Sequence, residues 1–332
     1  MEREKHSRWM KLLVITATIM VLGWALCISW AAEAKYPNRL IQVVVPYQPG
    51  FTDVVLRLFT DKWQESLGQP MAFVYKPGAA GAVGASFVAK AKPDGYTLIG
   101  STNAPVLLSP ITKELDYTTD DFAPICRLTK TPVMFTVKAD SPWKTLKDLV
   151  EEAKKNPGKV TYATSGIFGT SHFPVEMFVK LAKINMTHVP CAGDTPAVTA
   201  LLGGGVNMVS CTVTAVVPHI KSGALRPIGV FAKERLKEFP DVPTFSELGY
   251  PVVQYVWVSL LAPKGVPEEV VNTIYTTCKK IVEKDKSVIE DRLGKMSLLL
   301  DVLGPQEFAN ELKAEGAAMK GIFNDLKKSI KQ

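Results

Sequence analysis

Short continuous apolar runs and runs with helical spacing alternate along the chain. Ile41–Val45 is a continuous β-branched run, which indicates a strand covered on both faces. After a polar break, residues 53–67 have the apolar spacing of a helix. The order repeats with a strand at Met71–Tyr75, a helix at 83–91 and a strand at 96–100. Strand, loop and helix in repetition predict βαβ units around a parallel sheet.

The same pattern starts again after Pro142 and predicts a second α/β unit. Its helices are predicted at 146–155, 171–182, 194–202 and 215–222, and its strands at 160–163, 187–189, 208–211 and 226–230. Extended apolar stretches near 125–137 and 252–262 bracket this unit and are interpreted as crossings between two lobes. C-terminal helices that start near Pro267 and Pro305 are expected to return to the first lobe. We therefore predict lobe one at 35–130 and 258–332, and lobe two at 131–257.

Residues 1–34 have the pattern of an export signal. A short basic start precedes residues 12–30, which carry no charge, and Ala32-Glu33-Ala34 supplies small residues for cleavage. We expect cleavage near Ala34. Because the apolar run exceeds the usual ~7–15 residues of a signal, an uncleaved membrane anchor is the alternative.

Composition and charge narrow the class of protein. The 332 residues include 39 Lys and Arg against 32 Asp and Glu, a net charge of +7. The basic residues are scattered and form no Arg-rich stretch, so nucleic acid is not the expected partner. Beyond the signal, Cys126, Cys191, Cys211 and Cys278 are widely spaced, which favours free, buried thiols over a disulfide framework.

Loops rich in Gly, Ala, Ser and Thr follow the predicted strands and are nearly free of basic side chains. They are residues 46–53 (PYQPGFTD), 76–84 (KPGAAGAVG), 164–172 (TSGIFGTSH) and 190–195 (PCAGDT). Ligands gather at the carboxyl ends of strands in open α/β sheets, where helix N-termini present unpaired N–H groups. Four such loops in two facing lobes predict an anion site built from backbone amides and hydroxyls.

Motifs for catalysis are missing from these loops. Residues 76–84 match neither a P-loop nor a dinucleotide fingerprint, and 164–172 is not a G-x-S-x-G turn. His172, His188 and His219 lie 16 and 31 residues apart, without metal-site spacing, and are interpreted as structural. The pairing of Cys191 with His188 is likewise not expected to form a nucleophile. We predict no enzyme activity, no cofactor and no metal.

Two interpretations stay open for side chains in the loops. Asp53 is favoured as the N-cap of the first helix, with direct contact to an amine on a ligand as the alternative. Tyr47, Phe51 and Phe168 either line a cleft or pack between loops.

Several segments carry a resemblance that covers nearly the whole mature chain in order. They are PYQPGFTDVVLR, PGAAGAVGASFVAKAKPDGYTL, YATSGIFGTSH, VPHIKSGALRPIGV and FPDVPTFSELGYP. With these motifs the chain resembles the periplasmic solute-binding proteins of the tripartite tricarboxylate transporter family, also known as TctC-like or Bug proteins. The resemblance implies a two-lobed, type II periplasmic-binding-protein fold, each lobe a mainly parallel sheet flanked by helices.

The resemblance also implies a function and its partners. A monomer in the periplasm would capture a small carboxylate between its lobes and deliver it to the integral membrane subunits of a transporter. A membrane-anchored carboxylate sensor or scaffold is the alternative, favoured if the N-terminal segment is retained.

The resemblance further implies which residues bind the ligand. In lobe one they are Tyr47, Gln48, Gly50, Phe51, Thr52, Asp53, Pro77, Ala79, Ala80 and Gly81; in lobe two they are Ser165, Gly169, Thr170, Cys191, Ala192, Gly193 and Cys211. This chain departs from the family pattern at Phe51, where a second glycine is usual, at Cys191, where an aromatic residue is frequent, and at Cys211, where Asp or Asn is frequent. These departures imply a specificity different from that of the dicarboxylate binders.

Overall fold

One mixed sheet runs through the computed structural model, which describes residues 35–330. The chain divides into Met1–Arg39 and Leu40–Gln332, and every element named here lies in the second unit. The predicted signal segment, residues 1–34, lies outside the described residues. The strands are β1 (Ile41–Val45), β2 (Met71–Tyr75), β3 (Thr97–Thr102), β4 (Phe122–Lys138), β5 (Thr161–Thr164), β6 (Thr187–Pro190), β7 (Met208–Thr212), β8 (Leu225–Val230), β9 (Tyr255–Pro263) and β10 (Leu299–Leu303).

Helices connect these strands. They are α1 (Phe51–Leu67), α2 (Ala82–Ala89), α3 (Ser109–Thr112), α4 (Leu146–Lys155), α5 (Phe173–Ala182), α6 (Asp194–Leu202), α7 (Val213–Lys221), α8 (Glu268–Lys295) and α9 (Pro305–Ile330). Single turns occur at Ala79–Gly81 and Thr119–Asp121, and a π-helical segment, Ala104–Leu108, precedes α3. Among the described residues, no helix is both long and apolar enough to cross a bilayer.

The strand order combines parallel outer strands with antiparallel crossing strands. The order is β2-β1-β3-β9-β4-β7-β5-β6, and β8 and β10 also pair with β4. The pairs β1–β2, β1–β3, β5–β6 and β5–β7 are parallel, as βαβ units require. The crossing stretches predicted from sequence are the long strand β4 and β9, which pair with each other in antiparallel register.

The register brings two sets of strand ends together. On one side, β3 ends at Thr102, which pairs with Val258 of β9, close to the Pro132–Tyr255 pair in the middle of β4. On the other side, β7 ends at Thr212, which pairs with Val133 of β4. The carboxyl ends of β3 and β7 therefore approach the middle of β4 from opposite directions. The segments that follow β3 and β7 therefore lie near the same stretch of β4.

Apolar side chains form separate clusters on the two sides of the crossing strands. Phe135 of β4 lies in a cluster with Tyr162, Phe178, Phe231 and Phe245. The other crossing strand contributes Trp257 to a cluster that includes residues of β1, α2 and α9. Each half of the sheet therefore has its own core, which supports the two predicted lobes, while the lobe boundaries stay a prediction.

Candidate functional site

The predicted ligand-binding residues fall into three classes of exposure. Gln48, Gly50, Phe51, Pro77, Ala79, Ala80 and Ala192 are exposed; Tyr47, Ser165, Gly169, Thr170, Cys191 and Gly193 are half-buried; Thr52, Asp53, Gly81 and Cys211 are buried. Phe51, at 38% exposure, is the least covered of the predicted aromatic residues, which leaves its ring free to contact a ligand. By contrast, Cys211 is fully buried in an apolar cluster with Met134 and Ala163, so only its backbone can contact a ligand.

The first two loops pack directly against each other. A Cβ placed on Gly84 would lie 2.8 Å from Pro46 and 2.9 Å from the Lys76 carbonyl oxygen. A Cβ on Gly81 would lie 3.3 Å from the Tyr47 ring. These glycines let the two lobe-one loops share one surface, and only small residues fit at the contact.

The second loop is strained as well as tightly packed. Ala79 and Ala80 have φ values of 48° and 57°, in the left-handed region that side chains with a Cβ rarely adopt. The turn is closed by a 2.9 Å hydrogen bond from the Gly81 N–H to the Gly78 carbonyl. Strain of this kind persists where the surrounding structure enforces it, most often at ligand sites.

Tyr47 is anchored by its hydroxyl. Its oxygen lies 2.7 Å from the Thr102 hydroxyl at the end of β3. Burial raises the pKa of Tyr47 to about 12, although hydrogen bonds with Thr102 and Ser101 act against the shift. The neutral ring is therefore fixed between the first loop and the end of β3. It packs between these segments, as in one of the two interpretations, and its half-buried position still allows the other, contact with a ligand.

Asp53 is not the N-cap of the first helix, which begins at Phe51 with Gly50 as its N-cap. The carboxylate of Asp53 instead reaches back to accept a hydrogen bond from the Gly50 N–H, as in a capping box. The Tyr75 hydroxyl also donates to Asp53 at 3.1 Å, and Arg57 lies 3.7 Å away. With these partners, Asp53 shapes the start of α1 rather than offering a free carboxylate.

Phe168 packs between loops and the C-terminal helix. Its ring contacts Phe173 and makes an edge-on contact with Phe323 of α9, with ring centroids 5.1 Å apart. A backbone φ of 55° turns residue 168 toward this contact. For this residue the packing interpretation is therefore the better one.

The lobe-two loops are joined by hydrogen bonds around Ser165. The Ser171 hydroxyl lies 2.7 Å from the Ser165 hydroxyl, and the Cys191 N–H donates to the Thr164 carbonyl at 3.0 Å. Asp194, the first residue of α6, accepts hydrogen bonds from the N–H and hydroxyl of Thr212, the last residue of β7. These hydrogen bonds therefore join the loops after β5 and β6 to the end of β7, and these segments together form the lobe-two surface.

Thr102 at the end of β3, Asn103 directly after it and Asp194 at the start of α6 were not among the site residues predicted from sequence. Thr102 shares a hydrogen bond with Tyr47 of the first loop, and the side chain of Asn103 donates to the Tyr255 carbonyl at 3.0 Å. Ligand sites lie at the carboxyl ends of strands, and the third strand ends at Thr102 rather than at residue 100 as predicted. With the observed end of the strand, Thr102 and Asn103 would have been predicted as site residues. Asp194 lies inside a loop that was selected, but its carboxylate was overlooked.

A half-buried glutamate of α9 connects the crossing strand β9 with the residue that follows β3. Glu315 of α9 accepts hydrogen bonds from the Trp257 indole N–H at 2.9 Å and from Asn103 at 3.0 Å. Burial raises the pKa of Glu315, although these donors act in the opposite direction. The C-terminal helix thereby positions both β9 and the loop after β3.

Large cavities flank the crossing strands. One of 360 Å³ lies between α5, α9 and β9, and one of 570 Å³ lies between β10 and the segment 232–238. None of the predicted ligand-binding residues lines either cavity. These cavities are therefore separate from the loops at the strand ends.

Histidines that are far apart in sequence meet beneath the lobe-two loops. The rings of His172 and His188 stack with centroids 4.0 Å apart. His172 contacts Glu176 at 3.2 Å, and His188 lies 2.7 Å from the Thr164 hydroxyl. Among residues 35–330, no group of His, Cys, Asp and Glu has the arrangement of a metal site. Sequence spacing did not reveal this contact, which depends on the pairing of β5 with β6.

We expect the protein to lose stability as the pH falls from about 6.5 to about 4. Burial and the neighbouring His172 lower the pKa of His188 from 6.5 to about 4. Within this window the unfolded chain binds a proton at His188 that the folded chain does not, so acidification favours unfolding. Allowing for partial exposure, the loss is about 1–2 kcal/mol. Denaturant titrations at several pH values measure it.

The control for the acid effect is a histidine outside the stacked pair. His188→Gln should reduce the pH dependence of the free energy of unfolding, whereas His219→Gln on α7 should leave it as in the wild type. Equal pH dependence in the wild type and His188→Gln would contradict the assignment.

The cysteines in the described residues are free. Cys126, Cys211 and Cys278 are buried, as expected, whereas Cys191 is partly exposed. Cys191 therefore corrects the expectation that all four thiols are buried. It is the first residue after β6 and therefore belongs to the lobe-two surface.

Comparison with known proteins identifies the family. The family model of the tripartite tricarboxylate transporter family receptor, TctC, matches residues 55–298. Protein BugT of Bordetella pertussis is 33% identical over 284 residues, covering 84% of this chain and 86% of that protein. A protein encoded in the gbd 5' region of Cupriavidus necator is 33% identical over 297 residues, covering 89% of this chain and 90% of that protein.

Solved structures agree in fold. A TctC solute-binding protein from Polaromonas has a TM-score of 0.77 and 30% identity, with coverage of 87% of this chain and 99% of that chain. MatC from Rhodopseudomonas palustris, with bound malate, has a TM-score of 0.73 and 29% identity, with coverage of 87% and 100%. An R. palustris protein with adipate has a TM-score of 0.75 and 27% identity, with coverage of 86% and 97%. The two-lobed fold is therefore confirmed, and the chain belongs to the tripartite tricarboxylate transporter receptor family of periplasmic solute-binding proteins.

Proposed function

We propose that this protein captures a small carboxylate between its two lobes and delivers it to the membrane subunits of a tripartite tricarboxylate-type transporter. The observation that carries the proposal is the register of the crossing strands, which brings the carboxyl ends of β3 and β7 to the middle of β4 from opposite sides. Related receptors hold malate and adipate. The ligand is bound and released without chemical change.

Backbone amides and hydroxyls hold the carboxylate in this proposal. The loop at 46–53 leads into α1, whose first N–H groups and positive dipole end favour an anion. The loop at 76–84 has a single cation, Lys76, whose ammonium lies over the Phe87 ring at 4.1 Å. Thr170 and Ser165 add hydroxyls from the second lobe. Charge-assisted hydrogen bonds of this kind contribute about 1.5–3 kcal/mol each.

A thermal-shift screen of mono-, di-, tri- and aromatic carboxylates tests the function. A ligand present at about 100 times its Kd stabilises the folded protein by roughly 2.7 kcal/mol, which raises the unfolding temperature clearly. We expect at least one carboxylate, with malate and adipate included in the set, to do so. If no carboxylate shifts the transition, the proposed function is wrong.

Variants show how the carboxylate is held. Thr170→Val keeps the shape of the side chain but removes a donor, and it should weaken binding by roughly tenfold while leaving the fold intact. Lys76→Met removes the cation and should have a smaller effect. Titration calorimetry with the carboxylate found in the screen measures both. If Lys76→Met abolishes binding and Thr170→Val leaves it unchanged, an ion pair rather than an amide cradle holds the ligand.

A further inference from the structure

Asp194 is a half-buried residue at the lobe-two strand ends, and only one of its two carboxylate oxygens accepts hydrogen bonds. Its Oδ2 accepts hydrogen bonds from the Thr212 N–H at 3.1 Å and the Thr212 hydroxyl at 2.6 Å. Its Oδ1 is buried and has no hydrogen-bond partner. A carboxylate oxygen in this position costs free energy until a donor reaches it.

Asp194 lies near the place where the strand ends of both lobes meet. It is the first residue of α6, after Gly193, and it bonds to Thr212 at the end of β7. Thr212 pairs with Val133 in the middle of β4, where the strand ends of both lobes meet. The Ser165 hydroxyl, at the end of β5, lies close enough to lower the pKa of Asp194, but it makes no hydrogen bond to Oδ1. The carboxylate therefore lies among the residues expected to contact the ligand.

The negative charge of the Asp194 carboxylate is not neutralised by a cationic side chain. Burial raises the pKa of this carboxyl, and the hydrogen bonds from Thr212 and the nearby Ser165 hydroxyl act against that shift. Among the side chains that the structure describes, no Lys, Arg or His forms an ion pair with it. Asp53, in contrast, has Arg57 at 3.7 Å and donors at Gly50 and Tyr75. An ionised carboxylate without a cation nearby is complementary to a ligand that brings its own positive charge.

We infer that Asp194 is a specificity-determining residue whose carboxylate accepts a hydrogen bond from an ammonium group of the ligand, so that the protein prefers amino carboxylates. The inference rests on the proposed function, because the ligand's carboxylate is held by the lobe-one loops. A ligand with a second carboxylate and no ammonium would place like charges together at Asp194. A metal ion is a poor alternative, since Asp194 belongs to no cluster of metal-ligating side chains among the described residues.

Matched ligand pairs test the preference directly in the mature protein. The pairs are succinate and L-aspartate, butyrate and 4-aminobutyrate, and hexanoate and 6-aminohexanoate, whose members differ by one ammonium group. By titration calorimetry, we expect the ammonium-bearing member of at least one pair to bind about 10 to 100 times more tightly, the range expected for a charge-assisted hydrogen bond. In Asp194→Asn and Asp194→Ser this ratio should fall to about threefold or less.

The matched control removes a carboxylate from the surface of the same lobe. The Asp140 side chain is 75% exposed and pairs only with Lys138, at 3.3 Å, so Asp140→Asn should keep the wild-type preference. Unchanged preference in a folded Asp194→Asn would overturn the inference. So would a wild-type protein that binds only carboxylates without an ammonium group, and this result needs no variant to fold. If neither these ligands nor any carboxylate in the thermal-shift screen binds, the proposed function itself fails.

Discussion

Gly84→Ala is expected to destabilise the protein and to abolish most ligand binding. The added Cβ would lie 2.8 Å from the Cα of Pro46 and 2.9 Å from the carbonyl oxygen of Lys76, both of which are backbone atoms. Because neither atom belongs to a flexible side chain, the loops themselves must separate. Overpacking of this kind costs about 1–3 kcal/mol. The displaced amides would also lose contact with a carboxylate, at roughly tenfold in affinity for each bond lost.

A glycine in open space provides the control for Gly84. A Cβ on Gly294, near the end of α8, has no atom within 4 Å. Gly294→Ala should therefore be neutral or slightly stabilising, since alanine is the better residue in a helix. Denaturant titration and calorimetry with the screened carboxylate measure both variants. A Gly84→Ala protein with wild-type stability and affinity would show that the two loops do not form one binding surface.

The strands of the first half were predictable because local signals agree with the fold. Ile41–Val45 and Met71–Tyr75 are observed with the bounds expected from their apolar runs. The α4 helix was also predicted with its observed bounds, Leu146–Lys155, because Thr145 accepts a hydrogen bond from the Asp148 N–H at its start and Asn156-Pro157-Gly158 ends it. Where capping residues and apolar spacing coincide, sequence alone gives the element.

Other elements could not be predicted because their signals are weak or misleading. The first helix begins two residues before the predicted start, since Asp53 acts as the third helical residue and Gly50 as the N-cap. The helical segment from Ala104 contains Pro105 and lacked an apolar spacing to mark it. The strand β10 is held in place by pairing with β4, a contact between residues far apart in sequence.

Sequence alone assigns the candidate site to a set of loops, an assignment that stays a prediction, but it does not identify the side-chain partners that the structure shows within those loops. The predicted βαβ units indicate that the loops at the carboxyl ends of the strands lie close together. The observed register, in which the ends of β3 and β7 approach the middle of β4, agrees with this expectation. The hydrogen bonds between Asp194 and Thr212 and the stacking of His172 on His188 join neighbouring loops and strands. Such partners depend on register and side-chain direction, which hydrophobic spacing does not specify.

Phe135→Ala should produce the largest loss of stability that we predict, about 3–5 kcal/mol. The Phe135 ring is fully buried in β4 and makes edge-on contacts with Phe178, Phe231 and Phe245, at centroid distances of 5.5, 5.0 and 4.9 Å. Truncation would remove the central ring of this group and leave a cavity bordered by rigid aromatic side chains, which cannot easily collapse into it.

An exposed apolar residue of the same lobe is the control for Phe135. Leu181 of α5 is 48% exposed, so Leu181→Ala should change the free energy of unfolding by about 0.5 kcal/mol or less. Because β4 also pairs with β7, loosening the core around β4 should weaken ligand binding by displacing Thr212 at the end of β7. Denaturant titration with and without the carboxylate ligand separates the two effects. If Phe135→Ala costs no more than Leu181→Ala, this aromatic cluster does not hold the second lobe together.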